Sequence, residues 1–345
     1  MSSQKKITFI APFDLKRLTG TPIRASITID AAKKLGDIYV IESRGLKFFS
    51  FCKRTITALR KEKPDSIHGF TTLSIAPALL YKFFFNGRVI IIFEMHGWAW
   101  FETKGQNFFK RLAFLLIDIL GLWFSNKIIA MSNTEKKFLS KLVYRPEKIF
   151  VLWGPVEIVP EYKSPSNKNV VVGYLGNDSW WQGIDVLVSA AKTLSGEDAV
   201  FKLAGFNSSD KKRFPKIDNV EYVGRVERKN VMGFLQSCNL LISPRLDTMA
   251  SNLQFPHKLS EYMAAGRPVV VSSVSDQKEI VMSAECGFTL NKIDAASIVK
   301  AIKRFTTLSE GDEKKLGENA AKFAKENFLV DSFKEKLKMV YSQNK

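Results

Sequence analysis

Short runs of β-branched and aromatic residues recur along this chain, each separated from the next by a stretch with helical spacing, and few folds accept that alternation. Val269, Val270 and Val271 form the clearest run. With no polar residue alternating into it, such a run suits a strand buried on both faces, as parallel strands beneath helices are. The stretch before it, FPHKLSEYMAAGRP, reads as a helix. Pro256 suits a first helical position, Leu259, Tyr262 and Met263 recur at the spacing of a buried face, Gly266 offers positive φ at the end, and Pro268 blocks continuation. Further strands are predicted at 7–11, 38–41, 66–70, 89–93, 127–131, from 170, 201–205, 220–224 and 240–244. Helices are predicted at 23–35, 112–124, 134–142, 184–194, 231–237 and 331–341. The pattern is α/β, and 345 residues are enough for two such domains.

Hydrophobic content of 46% with 25% charged residues describes a chain that folds into packed domains rather than remaining disordered. Cys52, Cys238 and Cys286 are odd in number and widely spaced, with no metal-ligand pattern, which fits a reducing cytoplasm. The apolar run after MSSQKK is strand-length, so no export signal is expected. Charge is the unusual property: the net value is +18, and residues 1–165 hold 26 Lys+Arg against 13 Asp+Glu. Such a balance suits an anionic membrane surface or a phosphorylated substrate. Nucleic acid is not expected, since no zinc finger, RNP-like aromatic motif or arginine-rich tail is present. The most apolar segment, 112–124, is too short to span a bilayer and contains Asp118. It is expected to lie buried against the sheet. Interfacial membrane contact together with Phe108, Phe109, Lys110 and Arg111 is the alternative.

Open α/β sheets bind ligands at the carboxyl ends of their strands, so residues there are the candidates for chemistry. The first such place is TGTPIR at 19–24, where Gly20 allows close backbone approach to a phosphate or sugar. The second is EMHGW at 94–98, where His96 can donate or accept a hydrogen bond near neutral pH. The third is the helix before Val269. Lys258 stands in its first turn, where the helix dipole disfavours a cation, and an anionic ligand would account for it. The alternative is an ordinary surface pair with Glu261, three residues on.

This last stretch resembles the sugar-nucleotide signature of the GT-B glycosyltransferases, specifically the retaining family numbered four. The resemblance implies two Rossmann-like domains facing across a cleft: 1–160 for the acceptor, 161–328 for the nucleotide sugar, and a helix within 329–345 crossing back to the first domain. It further implies that Glu261 holds the donor ribose, that His96 faces the transferred sugar, and that Gly20 and Thr21 line the first loop. Gly176, Gln182 and Gly205 are implied at the diphosphate, backbone atoms of Tyr222, Val223 and Arg225 at the nucleobase, and the amides of Asn252, Leu253 and Gln254 at a sugar or phosphate. Two positions depart from the family pattern. Gln182 stands where a phosphate-gripping lysine is usual, with no arginine accompanying it, and Leu253 stands where a glutamate is usual; Lys258 is expected to supply the missing charge. The implied activity is transfer of a sugar to a glycan or lipid-linked acceptor in cell-surface polysaccharide or glycoconjugate synthesis, in the cytoplasm or on the inner membrane face. No cofactor or metal is implied, since no DxD is present. A non-catalytic glycosyltransferase-like subunit and a sugar-nucleotide epimerase of the same architecture are the alternatives.

Overall fold

The computed structural model describes residues 5–16, 20–103, 105–160, 162–165, 169–206 and 214–342. Thr19 of the TGTPIR loop lies outside them. The chain forms two compact units, one of residues 1–153 with 331–345 and the other of residues 154–330.

The first unit is built on six parallel strands in the order β2-β1-β3-β4-β5-β6: β1 (Lys6–Ala11), β2 (Asp37–Glu42), β3 (Ser66–Phe70), β4 (Ile90–Glu94), β5 (Lys127–Ala130) and β6 (Ile149–Val151). Parallel neighbours need crossovers, supplied by α1 (Gly20–Ala32), α2 (Phe48–Glu62), α3 (Thr72–Phe84), α4 (Ala99–Glu102), α5 (Phe108–Phe124) and α6 (Asn133–Leu139). Phe9, Ile10, Ile67, Ile91, Phe93, Ile128 and Ile129 are buried between the layers. Ser132 caps α6 through a 3.0 Å bond from the Glu135 amide, and Asn107 caps α5 from the Phe109 amide at 2.9 Å.

The second unit repeats the architecture in the order β12-β11-β10-β7-β8-β9. Its strands are β7 (Val170–Leu175), β8 (Ala199–Ala204), β9 (Val220–Gly224), β10 (Leu240–Ser243), β11 (Val269–Ser272) and β12 (Gly287–Leu290). Its helices are α7 (Ile184–Thr193), α8 (Val231–Gln236), α9 (Met249–Asn252), α10 (His257–Ala264), α11 (Gln277–Ser283), α12 (Ala295–Thr306) and α13 (Glu310–Asn327). Val172, Phe201, Leu203, Ile242 and Val270 pack under Leu187 and Ala191 of α7 and Ile298 and Ile302 of α12. The final helix, α14 (Val330–Ser342), belongs from Asp331 onward to the first unit. Phe333, Leu337 and Val340 recur at helical spacing and are its buried face, and Lys127 Nζ bonds the Val340 carbonyl.

Three expectations need correction. The first helix begins at Gly20, so Gly20 and Thr21 form its opening turn rather than a loop, with Pro22 tolerated there because the amide it lacks has no helical partner. Pro256 is the extended cap of α10 rather than its first residue. The apolar segment expected to be buried against the sheet is instead largely outside: only Asp118, Gly121 and Leu122 of α5 are buried. Gly121 explains the narrow contact. A Cβ there would stand 2.9 Å from both Ile75 and Phe93, so the helix rests on its neighbours along a thin strip. Phe109, Leu116, Leu120, Trp123 and Phe124 are left exposed.

Candidate functional site

In the second unit, the ends of β7, β8, β9 and β10 and the start of α10 assemble most of the residues the sequence singled out. Tyr262, fully buried in α10, holds the end of β7: its hydroxyl accepts from the Leu175 amide at 2.8 Å and donates to the Leu175 carbonyl at 3.2 Å. Gly176 follows immediately. A Cβ at Gly176 would lie 2.7 Å from both Lys258 Nζ and the Tyr174 hydroxyl, so glycine is required for the lysine to reach its place. Gly205 has φ of +102°, and a Cβ there would meet the Gly176 carbonyl at 2.2 Å.

Lys258 is buried. Its Nζ donates to the Tyr174 hydroxyl at 2.9 Å and to Gln182 Oε1 at 2.7 Å, and it stands 4.1 Å from the centre of the Tyr174 ring. Among the described residues it makes no ion pair. Burial, reinforced by Arg245 nearby, pushes the ammonium well below the ordinary lysine range. Arg245 is itself buried and donates to the Gln254 carbonyl at 3.0 Å and to Gln254 Oε1 at 3.4 Å. The alternative reading, a surface pair between Lys258 and Glu261, is not realised. Glu261 is ion-paired with Arg228, from the turn that follows β9.

Tyr222 and Val223 lie on β9, which among the described residues pairs only with β8 and is the edge strand of its sheet. The Tyr222 ring stacks on Phe214, while Val223 and Arg225 are exposed. The amides of Asn252, Leu253 and Gln254, expected at a sugar or phosphate, turn inward here. They are spent within the α9 turn, on the carbonyls of Thr248 at 2.8 Å, Met249 at 3.1 Å and Ser251 at 3.4 Å. The Asn252 side chain is likewise committed, to Asp247 and the Ser275 amide, and Leu253 is buried. The Leu253 side chain faces the interior, which suits a hydrophobic residue.

In the first unit, His96 follows β4 and is held by Glu94, two residues earlier on the same face of the chain. Glu94 is wholly buried and accepts from Arg24 Nε at 2.7 Å, His96 Nε2 at 2.9 Å and His68 Nε2 at 2.9 Å. Burial alone would raise its pKa, but Arg24 and the two histidine bonds outweigh that and hold the carboxyl well below the usual carboxylate range. Burial depresses His96, overriding the pull of Glu94, so the imidazole is neutral. Arg24 also donates to the carbonyls of Leu152 at 2.8 Å and Trp153 at 2.9 Å, and lies 5.3 Å from the centre of the Phe333 ring. His68 Nδ1 stands 2.8 Å from the Tyr341 hydroxyl of α14. Next to this cluster Thr71 adopts φ of +63°, a strained value for a β-branched residue, pinned by its amide to the Glu94 carbonyl at 3.0 Å.

Sequence reasoning missed Arg24, His68, Glu94, Tyr174, Arg228, Arg245 and Tyr341. A signal existed for two: Glu94 shares a face with His96, and Arg245 stands at the carboxyl end of a predicted strand.

Residues 157–323 match the family described as glycosyl transferases group 1, and residues 19–158 match glycosyltransferase family 4. A capsular polysaccharide biosynthesis glycosyltransferase, CapM of Staphylococcus aureus, is 23% identical over 326 residues, covering 87% of this chain and 83% of that protein. Sucrose-phosphate synthase from Thermosynechococcus elongatus superposes with a TM-score of 0.81 at 16% identity, covering 98% of both chains. HepE of Anabaena in complex with UDP-glucose superposes at 0.77 with 16% identity, covering 98% of this chain and 99% of that one. Two parallel six-stranded sheets flanked by helices, in units that match these structures over nearly their whole length, are the GT-B fold. With the two family matches spanning residues 19–323, the chain belongs to the group 1, family 4 glycosyltransferases.

Proposed function

We propose that this glycosyltransferase moves a hexose-type unit from a nucleoside-diphosphate sugar to a glycan or lipid-linked acceptor in cell-surface polysaccharide synthesis, with retention of anomeric configuration. The observation that carries this reading is Lys258, a buried ammonium whose two polar contacts are neutral oxygens. An unpaired buried cation is unfavourable, and a second cation, Arg245, stands close by. A diphosphate is the ligand chemistry that reverses that penalty. Glu261 then accepts hydrogen bonds from the ribose hydroxyls, since a carboxylate would repel phosphate. The likeness to CapM supports a polysaccharide product, and the UDP-glucose complex of HepE supports uridine nucleotides as the first to be tried.

In the transfer, the bond between the sugar C1 and the diphosphate oxygen breaks and the acceptor oxygen bonds C1. The acceptor proton passes to the departing phosphate oxygen, so no carboxylate base and no metal ion takes part. His96 contacts the sugar being transferred. Incubation with labelled UDP-, GDP- and ADP-sugars and a lipid-linked acceptor, with and without EDTA, tests the reading. Transfer of label undiminished by EDTA is expected. Interconversion of the nucleotide sugar without acceptor, or loss of transfer in EDTA, would overturn it.

The acceptor side is proposed to meet an anionic bilayer. Phe83 at the end of α3 meets Phe124 at 5.1 Å, and Trp123 meets Tyr144 at 6.2 Å, so the exposed aromatic residues join into one surface. Lys148 donates to the carbonyls of Trp123 and Ser125 beside it, and Lys110 flanks Phe114. Aromatic residues interleaved with basic ones suit a negatively charged membrane interface. No helix of the described residues is long and apolar enough to cross a membrane.

A further inference from the structure

The Glu94 cluster admits one arrangement of protons, and it determines what His96 offers to a ligand. Ionised Glu94 only accepts. Its Oε2 lies 2.9 Å from His68 Nε2 and its Oε1 lies 2.9 Å from His96 Nε2, so both of these nitrogens carry hydrogen. In the neutral form of each ring Nδ1 is then bare. That of His68 accepts from the Tyr341 hydroxyl at 2.8 Å. That of His96 makes no hydrogen bond among the described residues, and it lies on the part of a mostly covered ring that still reaches solvent.

Charge reinforces the assignment. The buried groups facing His96 are Glu94, Arg24 and His68, with Tyr341 behind His68, and Arg24 already neutralises Glu94. A proton on His96 Nδ1 would leave the cluster with an uncompensated positive charge in a site with little access to water. The same carboxylate that orients the ring thus keeps its outward nitrogen unprotonated.

We propose that Glu94 is a positioning residue that locks His96 in the Nε2–H tautomer, so that Nδ1 serves as a hydrogen-bond acceptor for a hydroxyl of the transferred sugar, and that Tyr341 completes this relay through His68. The inference rests on the sugar-transfer reading above. It adds that the enzyme selects donors bearing a hydroxyl at the carbon facing His96, because a bound deoxy or fluoro analogue covers the bare nitrogen without donating to it.

The chain contains three histidines, so nitrogen-15 spectra of the full protein labelled at histidine resolve each ring, with His96→Asn assigning one set by its disappearance. From pH 6.5 to 8, His96 is expected to show a protonated Nε2 and an unprotonated Nδ1. In Glu94→Gln the Nδ1–H tautomer should appear, kcat should fall about 10²-fold, the scale of a positioned acid-base contact, and the calorimetric affinity for UDP should stay within about twofold. Tyr341→Phe, which deletes one hydroxyl and keeps the packing, should shift the His68 resonances and lower kcat several-fold. It carries the test if Glu94→Gln does not fold. A protonated Nδ1 on His96 in the wild-type protein overturns the proposal. So does a folded Glu94→Gln protein with unchanged tautomer and turnover, or a Tyr341→Phe protein with unchanged His68 resonances. The tautomer is read without turnover: if His96 has the expected form and no nucleotide sugar is used, the sugar-transfer reading fails and the tautomer assignment stands.

Discussion

Lys258 Nζ donates to Gln182 Oε1 at 2.7 Å, so the glutamine standing where the family resemblance leads one to expect a lysine is itself a partner of Lys258. A lysine at position 182 would set two ammonium groups against each other without a ligand between them. The glutamine instead supplies a neutral oxygen that keeps Lys258 aimed past Gly176. Lys258→Ala should weaken binding of UDP by about 1.5–3 kcal/mol, the scale of a charged hydrogen bond, and binding of uridine much less. Calorimetry with both ligands checks this. Equal losses would assign Lys258 to structure alone.

Glu261→Ala should weaken uridine and UDP alike, because ribose is common to both. The Arg228 partner is partly exposed, and an ion pair of that kind contributes no more than about 1 kcal/mol to stability. The melting temperature should therefore move little. A large drop in melting temperature with unchanged affinity would make the pair structural.

His96→Ala should lower turnover by about 10²-fold in a folded protein. The imidazole acts in its neutral form, and its pKa lies below the ordinary 6.5. Activity should therefore persist as pH falls through 6.5 and decline only at lower pH. An acid limb centred above 6.5 would argue against neutral His96.

Asp118 on the inner side of α5 is pushed up to about 7 by burial, from an ordinary value of 3.8. The folded state keeps this proton where the unfolded chain has released it, so the contribution of Asp118 to stability is fully present below pH 3.8 and is lost as pH rises through 7. The full difference is on the order of 4 kcal/mol. Asp118→Asn removes it, and the variant should gain several degrees in melting temperature over wild type at pH 8 but not at pH 4. Parallel melting curves for the two proteins at every pH would show that Asp118 is hydrated.

The protein should sediment with anionic liposomes and be released by salt, since exposed charge is screened over about 10 Å at 0.1 M. Trp123→Ser with Phe124→Ser should reduce sedimentation even at low salt, when charge attraction is at its strongest. Equal binding to neutral and anionic vesicles would count against this surface.

The elements were legible wherever burial imposed a period on the sequence. The strands 66–70 and 220–224 have the expected bounds, and most others shift by one or two residues. The α5 segment misled because apolar composition was read as burial. Its outer face is as apolar as its inner one, and only the small contact area at Gly121 reveals which residues are covered. Of the site, Lys258 was legible because its helix position is unfavourable for a cation. The side chains that engage Lys258, Glu261 and His96 were not, since Tyr174, Arg228, His68 and Tyr341 come from distant parts of the sequence and no local spacing marks them. That the amides of 252–254 turn into α9 was not legible, because a one-turn helix has too few residues to show a period.

The return of α14 to the first unit sets an order on synthesis. Residues 154–330 form a continuous stretch and can pack as they leave the ribosome. The first unit must wait, because Phe333 beside Arg24 and Tyr341 beside His68 are translated after all of them. At 5–20 residues per second the delay is roughly 10–40 s. Throughout it the support of His96 lacks its outermost member, and a nascent chain halted before α14 already holds Lys258, Arg245 and Glu261. The cluster around Lys258 can thus be assembled in a growing chain before the surroundings of His96 are complete.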